Sequence, residues 1–334
     1  NYNKSPYYGD SPEKKYWKGY DAIEQTKDAQ GYLKRHVNSN TGSPFALFLS
    51  WGPPHAPYQT APKKYHDLYA NKEITLRKNV PEEQREEAIK TYKGYYAHMT
   101  ALDDCMGELM KTLDETGLAD NTIVVYTSDH GDMLHSRGFM KKQQPWDESL
   151  RIPFLLRWPD KLKNKAREVT MPLDTPDIMP TLLGLTETEI PEEVEGIDRS
   201  GIVLGNEEPD ADHAALITCP SPFGQWSRAR GGREYRGVRT TRYTYCRDLN
   251  GPWLLYDNEA DPFQLINLIN EPEHATLQRH LDNRLNQLLN QTRDEFLSGP
   301  ELIAKSGYVI NPRTETVDYK IPFNPANVTK SPLV

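Results

Sequence analysis

An acid, an imidazole and a glycine follow one another at the end of a short apolar run, Thr122-Ile-Val-Val-Tyr-Thr-Ser-Asp129-His130-Gly131-Asp132. The run favours β structure and breaks into a polar Gly turn, so it reads as a buried strand whose carboxyl end presents Asp129 and His130. Open α/β sheets carry their chemistry at that end of a strand, which makes this carboxylate and imidazole the first candidates for a site. Taken alone, Asp-His-Gly also reads as nothing more than a turn closing a strand. A second imidazole, His55, lies in Trp51-Gly-Pro-Pro-His55-Ala-Pro-Tyr58. Its three prolines exclude regular structure and hold the ring on a stiff loop. A lone loop histidine is more often solvated surface than catalytic. This one leaves an apolar run at the sheet edge where Asp129 is also expected.

The elements around these residues are those of a large α/β chain. At 334 residues there is room for one large or two ordinary domains with a full core. Lys and Arg total 40 against 48 Asp and Glu, and the resulting charge of -8 gives no overall basic face for nucleic acid. No run of about 18 apolar residues offers a membrane span. The opening Asn1-Tyr-Asn-Lys-Ser-Pro-Tyr-Tyr-Gly-Asp is polar and turn-rich, so no signal peptide is present in this chain. Cys105, Cys219 and Cys246 are too few and too scattered for a disulfide framework, and they allow at most one bridge with one thiol left over. The 26 prolines and 19 tyrosines fit ordered loops and a surface of flat amphipathic rings, a composition compatible with carbohydrate contact.

Along the chain, helical spacing predicts a helix over residues 21–37, and the apolar run 45–50 between breakers predicts a buried strand. Acidic residues 82–87 open a long helix whose stripe Ile89, Tyr92, Tyr96, Met99, Leu102, Met106, Leu109 and Leu113 runs down to Gly117. Cys105 and the methionines of that stripe are core packing, and Asp103 and Asp104 belong to its polar face. Asp120-Asn121 then turns the chain into the strand before Asp129, a helix-to-strand unit of the parallel α/β kind. Residues 152–157 predict another strand, and 174–184 a short helix stopped by Gly184. From 186 to 213 the chain is acidic and rich in turn residues, which marks a boundary or a long surface loop. Beyond it, β-rich residues 236–245 and 253–256 and a leucine-spaced helix over 274–294 predict a small antiparallel sheet with a helix packed on it. The last thirty or so residues read as a wrapping tail. The expected division is 1–210 and 211–334.

Several of these stretches together resemble a known family. They are Gly52-Pro-Pro-His55-Ala-Pro-Tyr, Leu102-Asp-Asp, Asp120 to Asp132, Lys142 followed by Trp146-Asp-Glu-Ser-Leu-Arg-Ile-Pro-Phe154, Asp177-Ile-Met-Pro-Thr-Leu-Leu, and Leu255-Tyr-Asp-Asn-Glu-Ala-Asp-Pro262 with Asn267-Leu268. In this order and spacing they resemble the formylglycine-dependent sulfatases of the alkaline phosphatase superfamily, up to about residue 270. The resemblance implies an α/β, alkaline-phosphatase-like fold, a mostly parallel sheet flanked by helices, with a small C-terminal antiparallel sheet and a packed helix. It implies that Asp129 and His130 are two ligands of one divalent cation. It also implies that His55 contacts the sulfate ester and protonates the leaving alcohol, and that Lys142 binds the sulfate and its bridging oxygen. Lys142 is preferred to Lys141 because its distance to Trp146-Asp-Glu-Ser matches the family pattern.

The implied cation is calcium, which suits the hard carboxylate of Asp129, while an imidazole ligand is more at home on manganese or zinc. His135 and Arg137 stand where the local pattern departs from relatives; Arg137 is expected to face the substrate, with a free surface arginine as the equal alternative. The family's nucleophile, formylglycine made from Cys or Ser in Cys/Ser-x-Pro-x-Arg, has no counterpart here, and Cys219-Pro-Ser-Pro is only its nearest decoy. The chain is therefore expected to be the C-terminal portion of a sulfatase, inactive alone, with formylglycine in an upstream segment absent from it. The expected reaction is removal of sulfate from a sulfated carbohydrate in the periplasm, outside the cell or in a lysosome-like compartment, without nucleic-acid or membrane partners; the oligomeric state is left open. The alternatives are a phosphonate or phosphodiester hydrolase of the same superfamily and a non-catalytic glycan-binding relative.

Overall fold

The computed structural model describes residues 2–39, 42–163 and 166–308, and beyond them only the backbone of Ile310–Asn311 and Thr316–Val317. The tail expected over the last thirty residues lies outside the described side chains. The chain folds as two compact units, one of Asn1–Thr127, Leu134–Phe139 and Pro153–Lys165, the other of Ser128–Met133, Met140–Ile152 and Ala166–Val334.

The first unit opens on a hairpin of β1 (Pro6–Tyr8) and β2 (Lys14–Tyr16), with the Tyr7 ring stacked on Trp17 at 3.8 Å. Three helices follow: α1 (Asp21–Ser39), α2 (Lys63–Tyr69) and α3 (Arg85–Glu115). Glu86 and Glu87 lie in the first turn of α3, where the helix dipole favours acids. At its other end Leu118 N–H reaches back to the Leu113 carbonyl across Gly117, whose φ of 72° is the left-handed conformation that a Cβ disfavours. Ala22 of α1, Tyr65 of α2, and Ala97, Ala101, Leu102 and Cys105 of α3 form one buried cluster. Leu33 and Leu113 join Ala119 in a second. The helix and Cys105 in its core are as expected, but the stripe is offset: of its residues Tyr92, Leu102 and Leu113 are buried, Ile89, Tyr96, Met99, Met106 and Leu109 are half-buried, and the small residues Ala88, Ala97 and Ala101 fill the closest packing.

The strands of this unit depart from expectation. β3 (Val124–Thr127) pairs antiparallel with β4 (Phe154–Arg157); β3, expected as buried, is half-buried with Thr127 exposed, and β4 alternates half-buried and exposed residues, with Leu155 65% exposed. Residues 45–50, expected as a buried strand, form none; Phe48 is 89% and Leu47 40% exposed. An apolar run becomes a strand when a neighbour takes up its N–H and C=O groups, and no ladder reaches this run among the described residues. Every ladder among them is antiparallel.

A buried histidine gives this unit a pH-dependent stability. His98 on α3 is fully buried; Tyr20 O–H donates to its Nδ1 at 2.6 Å, and its Nε2 lies 3.4 Å from the Pro57 carbonyl, an arrangement that suits the neutral ring. Burial lowers its pKa from 6.5 to about 4. The unfolded chain takes up this proton near 6.5 while the folded chain resists it, so the unfolded state binds more protons between those limits. Stability is full above pH 6.5 and falls toward pH 4, by about 3 kcal/mol at roughly 1.4 kcal/mol per pKa unit. Urea melts at pH 7.5 and 4.5 should show that loss in the wild type and a smaller one in His98→Gln; equal losses in both would assign the dependence to other groups.

The second unit is built on a meander of β5 (Ala215–Cys219), β6 (Tyr235–Arg239), β7 (Tyr243–Asp248) and β8 (Gly251–Asp257), each antiparallel to the next. The leucine spacing of α5 (Ala275–Gln291) buries Leu281, Leu285 and Leu289 against Val238, Tyr245 and Leu255 of the sheet. Each such leucine contributes about 1.5–3 kcal/mol of burial. Ahead of the sheet, Asp174 caps the turn into α4 (Ile178–Leu185) through Thr175 N–H, and its other oxygen accepts Leu216 N–H of β5. α6 (Gly299–Lys305) is closed at its start by a Ser298–Glu301 capping box. The predicted antiparallel sheet with a packed helix is present.

Candidate active site

Asp129 and His130 stand directly after β3 on a turn that its own hydrogen bonds define. Ser128 Oγ donates to the His130 carbonyl at 2.9 Å, and His130 N–H donates to Asp129 Oδ1 at 3.1 Å. The imidazole is fixed as well: Nδ1 lies 2.7 Å from the Gly131 carbonyl, which can only accept, so Nδ1 carries a proton and the neutral ring presents its lone pair at Nε2. That Nε2 lies 3.4 Å from Asp129 Oδ2. Two donors at calcium-like distances and a right angle on one ion stand about 3.4 Å apart, so the pair fits two positions of a cation's coordination shell. The Asp129 side chain is 85% exposed, and among the described residues no cluster of three or more His, Cys, Asp or Glu could hold a metal.

Gly131 is required by close approach. Its N–H donates to the Ser149 carbonyl at 2.9 Å, and a Cβ there would meet the Glu148 carbonyl oxygen at 2.0 Å. The glycine after His130 thus lets the turn lie against the segment that follows Lys142.

Lys142 sits half-buried between Lys141 and Gln143, whose φ angles of 66° and 81° are left-handed. Each such non-glycine residue costs about 1–2 kcal/mol, so this geometry persists only where other bonds impose it. Lys141 N–H donates to Asp132 Oδ1 at 2.8 Å, the Lys141 carbonyl accepts Met133 N–H at 2.7 Å, and the Gln143 carbonyl accepts the Tyr235 hydroxyl at 2.9 Å. Beyond Lys142, buried Trp146 packs among Trp226 and Trp253, and Asp147 forms an ion pair with Arg239 at 3.2 Å. Sequence reading passed over Asp132 and Tyr235, because left-handed lysine and glutamine carry no sequence signal.

His55 and Arg137 belong to the first unit, Asp129, His130 and Lys142 to the second. His55 is exposed; its N–H donates to the Gly52 carbonyl at 3.3 Å and its ring Nδ1 to the Ala56 carbonyl at 2.8 Å, which leaves Nε2 as the nitrogen with a lone pair. The expected stiff proline loop is present. Arg137 is half-buried with a φ of 56°, its N–H on the Asn79 carbonyl at 2.7 Å. His135 beside it is buried, its Nδ1 2.9 Å from Gln84 Oε1 and its Nε2 3.1 Å from Thr91 Oγ1, and it ties this segment to the start of α3.

The cysteines correct one expectation. All three are free and buried, so the single bridge that the sequence allowed does not form. Cys219 lies inside the β5–β6 ladder, and burial raises its thiol to about 11. Burial also raises Cys105 and Cys246. A buried, protonated thiol does not fit the place of a nucleophile or its oxidised derivative.

The sulfatase family profile matches residues 1–188, and the profile of the N-sulphoglucosamine sulphohydrolase C-terminal region matches residues 135–291. The chain is 41% identical over 324 residues to an ulvan-active sulfatase of Formosa agariphila, covering 95% of this chain and 62% of the relative. It is 30% identical over 287 residues to an endo-4-O-sulfatase of Bacteroides thetaiotaomicron, covering 80% and 56%. A solved Bacteroides fragilis structure described as a sulfatase superposes with a TM-score of 0.78 at 28% identity, covering 88% of this chain and 64% of that one. The chain thus spans about 60% of the length of the relatives it matches. With more than half of its residues matched by the family profile, and with the α/β fold of a solved relative, this chain belongs to the sulfatase family.

Proposed function

We propose that the intact protein is a sulfuric ester hydrolase that removes sulfate from a sulfated carbohydrate. The similarity to the ulvan-active sulfatase over 95% of the chain is the observation that carries this reading. Asp129 and His130 are assigned as two ligands of one divalent cation, calcium by the hardness of the carboxylate, with manganese or zinc compatible with the imidazole. When bound, the cation polarises the sulfuryl oxygens. Lys142 holds the sulfate by its ammonium and offsets charge on the bridging oxygen as the ester bond lengthens. His55 acts in its protonated form: with Nδ1–H held by the Ala56 carbonyl, the proton on Nε2 passes to the departing alkoxide, so the alcohol leaves neutral and the ring is left with its Nε2 lone pair. Arg137 is assigned to the substrate side as an additional cationic contact.

Neither Cys105, Cys219 nor Cys246 fits a formylglycine precursor, so that group is assigned outside the stretch described and no step is derived through it. The sheet and helix after residue 210 are assigned to a smaller subdomain. A polymeric substrate goes with a periplasmic or secreted location, and no helix among the described residues is long and apolar enough to cross a membrane.

The experiment is a comparison of sulfate and phosphate esters of one alcohol with the intact protein. Preferred turnover of the sulfate ester is expected. Preferred turnover of the phosphate ester would assign a phosphohydrolase of the same superfamily, and glycan binding without turnover and insensitive to a chelator would assign a binding protein.

A further inference from the structure

We infer that Asp132 and Tyr235 are positioning residues that hold Lys142 in place for the sulfate group. The inference rests on the reading of Lys142 as the sulfate-binding residue and adds the groups that fix it.

A lysine is a poor positioner of its own charge. Its ammonium ends a flexible four-carbon stem, so the accuracy with which it meets an oxyanion depends on how well its backbone is held. Lys142 lies between two residues in left-handed conformations, Lys141 and Gln143, that a free loop would leave. Both flanks are tied within the second unit. Asp132 Oδ1 accepts Lys141 N–H at 2.8 Å, Met133 N–H closes on the Lys141 carbonyl at 2.7 Å, and Tyr235 O–H closes on the Gln143 carbonyl at 2.9 Å. Tyr235 is itself packed in, 1% exposed on β6 with its ring against Trp253. Asp132 stands two residues after His130, so one short segment carries the proposed cation ligands and the acceptor that shapes the lysine loop. A carboxylate accepting a backbone N–H needs only its oxygen for this work, and an asparagine carbonyl supplies the same oxygen.

The test uses the intact protein with Asp132→Ala, Asp132→Asn and Tyr235→Phe, reading hydrogen exchange at the Lys141 amide together with steady-state sulfate release. Asp132→Ala should speed exchange at Lys141 by about tenfold, the effect of losing one hydrogen bond. It should also lower kcat/KM by about 10- to 100-fold, as removal of an outer support or a small misplacement does, and weaken inhibition by inorganic sulfate in parallel. Asp132→Asn should restore slow exchange and most of the activity. Tyr235→Phe should weaken sulfate inhibition while exchange at Lys141 stays slow, because its bond is on the other flank.

Unchanged exchange in Asp132→Ala, or Asp132→Asn as impaired as Asp132→Ala, overturns the inference; the latter would mean that the charge of Asp132 matters and not its acceptor oxygen. A wild-type protein that releases no sulfate overturns the reading of Lys142 and this role with it. That failure is recognised before any variant is compared, and exchange at Lys141 still reports whether Asp132 holds the loop.

Discussion

Asp129→Ala in the intact protein is expected to lower kcat/KM for sulfate esters by about 10³-fold and to remove the bound divalent cation. The size follows from the several kcal/mol that a Lewis-acidic cation contributes to a charged transition state, at about 1.4 kcal/mol per tenfold in rate. Asp129 brings the only formal negative charge of the Asp129–His130 pair, and its Oδ2 is the atom 3.4 Å from His130 Nε2. With the carboxylate gone, the imidazole is left as a single neutral donor, too little for a hard cation. Metal analysis of purified wild type and variant, together with sulfate release, checks both halves. Wild-type cation content in Asp129→Ala would remove Asp129 from the ligand set whatever the activity.

The largest expected effect on stability lies in the second unit, at Arg236. Its side chain is 1% exposed, and its guanidinium makes an ion pair with Asp294, with Nη2 3.2 Å from Oδ1, while Nη1 donates to the Tyr235 carbonyl at 3.0 Å and the group lies 4.9 Å from the Phe296 ring centroid. An arginine does not escape burial by losing its proton. Asp294→Ala therefore leaves a buried charge without its counter-ion, and a loss of about 3–5 kcal/mol is expected. Replacing both partners, as Arg236→Met with Asp294→Ala, should cost less than Asp294→Ala alone, because the penalty comes from the stranded charge. Urea unfolding of the three proteins measures this. A double variant less stable than Asp294→Ala would show that Arg236 contributes more by packing than its charge costs.

Periodicity made the helices legible. The apolar residues from Ile89 to Leu113 and the leucines of α5 repeat at helical spacing because each helix packs one face against its own unit; in α5 the leucines are that face, while in α3 its centre is shifted to the alanines and Cys105 between them. Strands were less legible because a strand is completed by its neighbour. Residues 45–50 carry the composition of a buried strand, yet they join no ladder among the described residues and leave Phe48 in solvent. The opposite error occurred at β1 and β2, where polar residues hid a hairpin held by ladder bonds and the Tyr7–Trp17 stack.

At the site, Asp129, His130 and the stiff loop of His55 were visible as residue types, while Lys142 was chosen over Lys141 only by family spacing. The bonds that shape its loop come from Asp132 and Tyr235, nine and 92 residues away from the Lys141 and Gln143 backbone groups they meet. No local pattern announces such contacts. His135 shows the same limit: its sequence position marked only a departure from the family pattern, and its hydrogen bonds to Gln84 and Thr91, 51 and 44 residues away, brace the segment.

The most direct measurement is release of inorganic sulfate from a panel of sulfated carbohydrates by the intact protein, followed with and without a divalent-cation chelator. Sulfate release that stops with the chelator and returns on adding calcium is the expected result. No sulfate release from any of them with cation present would contradict the proposed function.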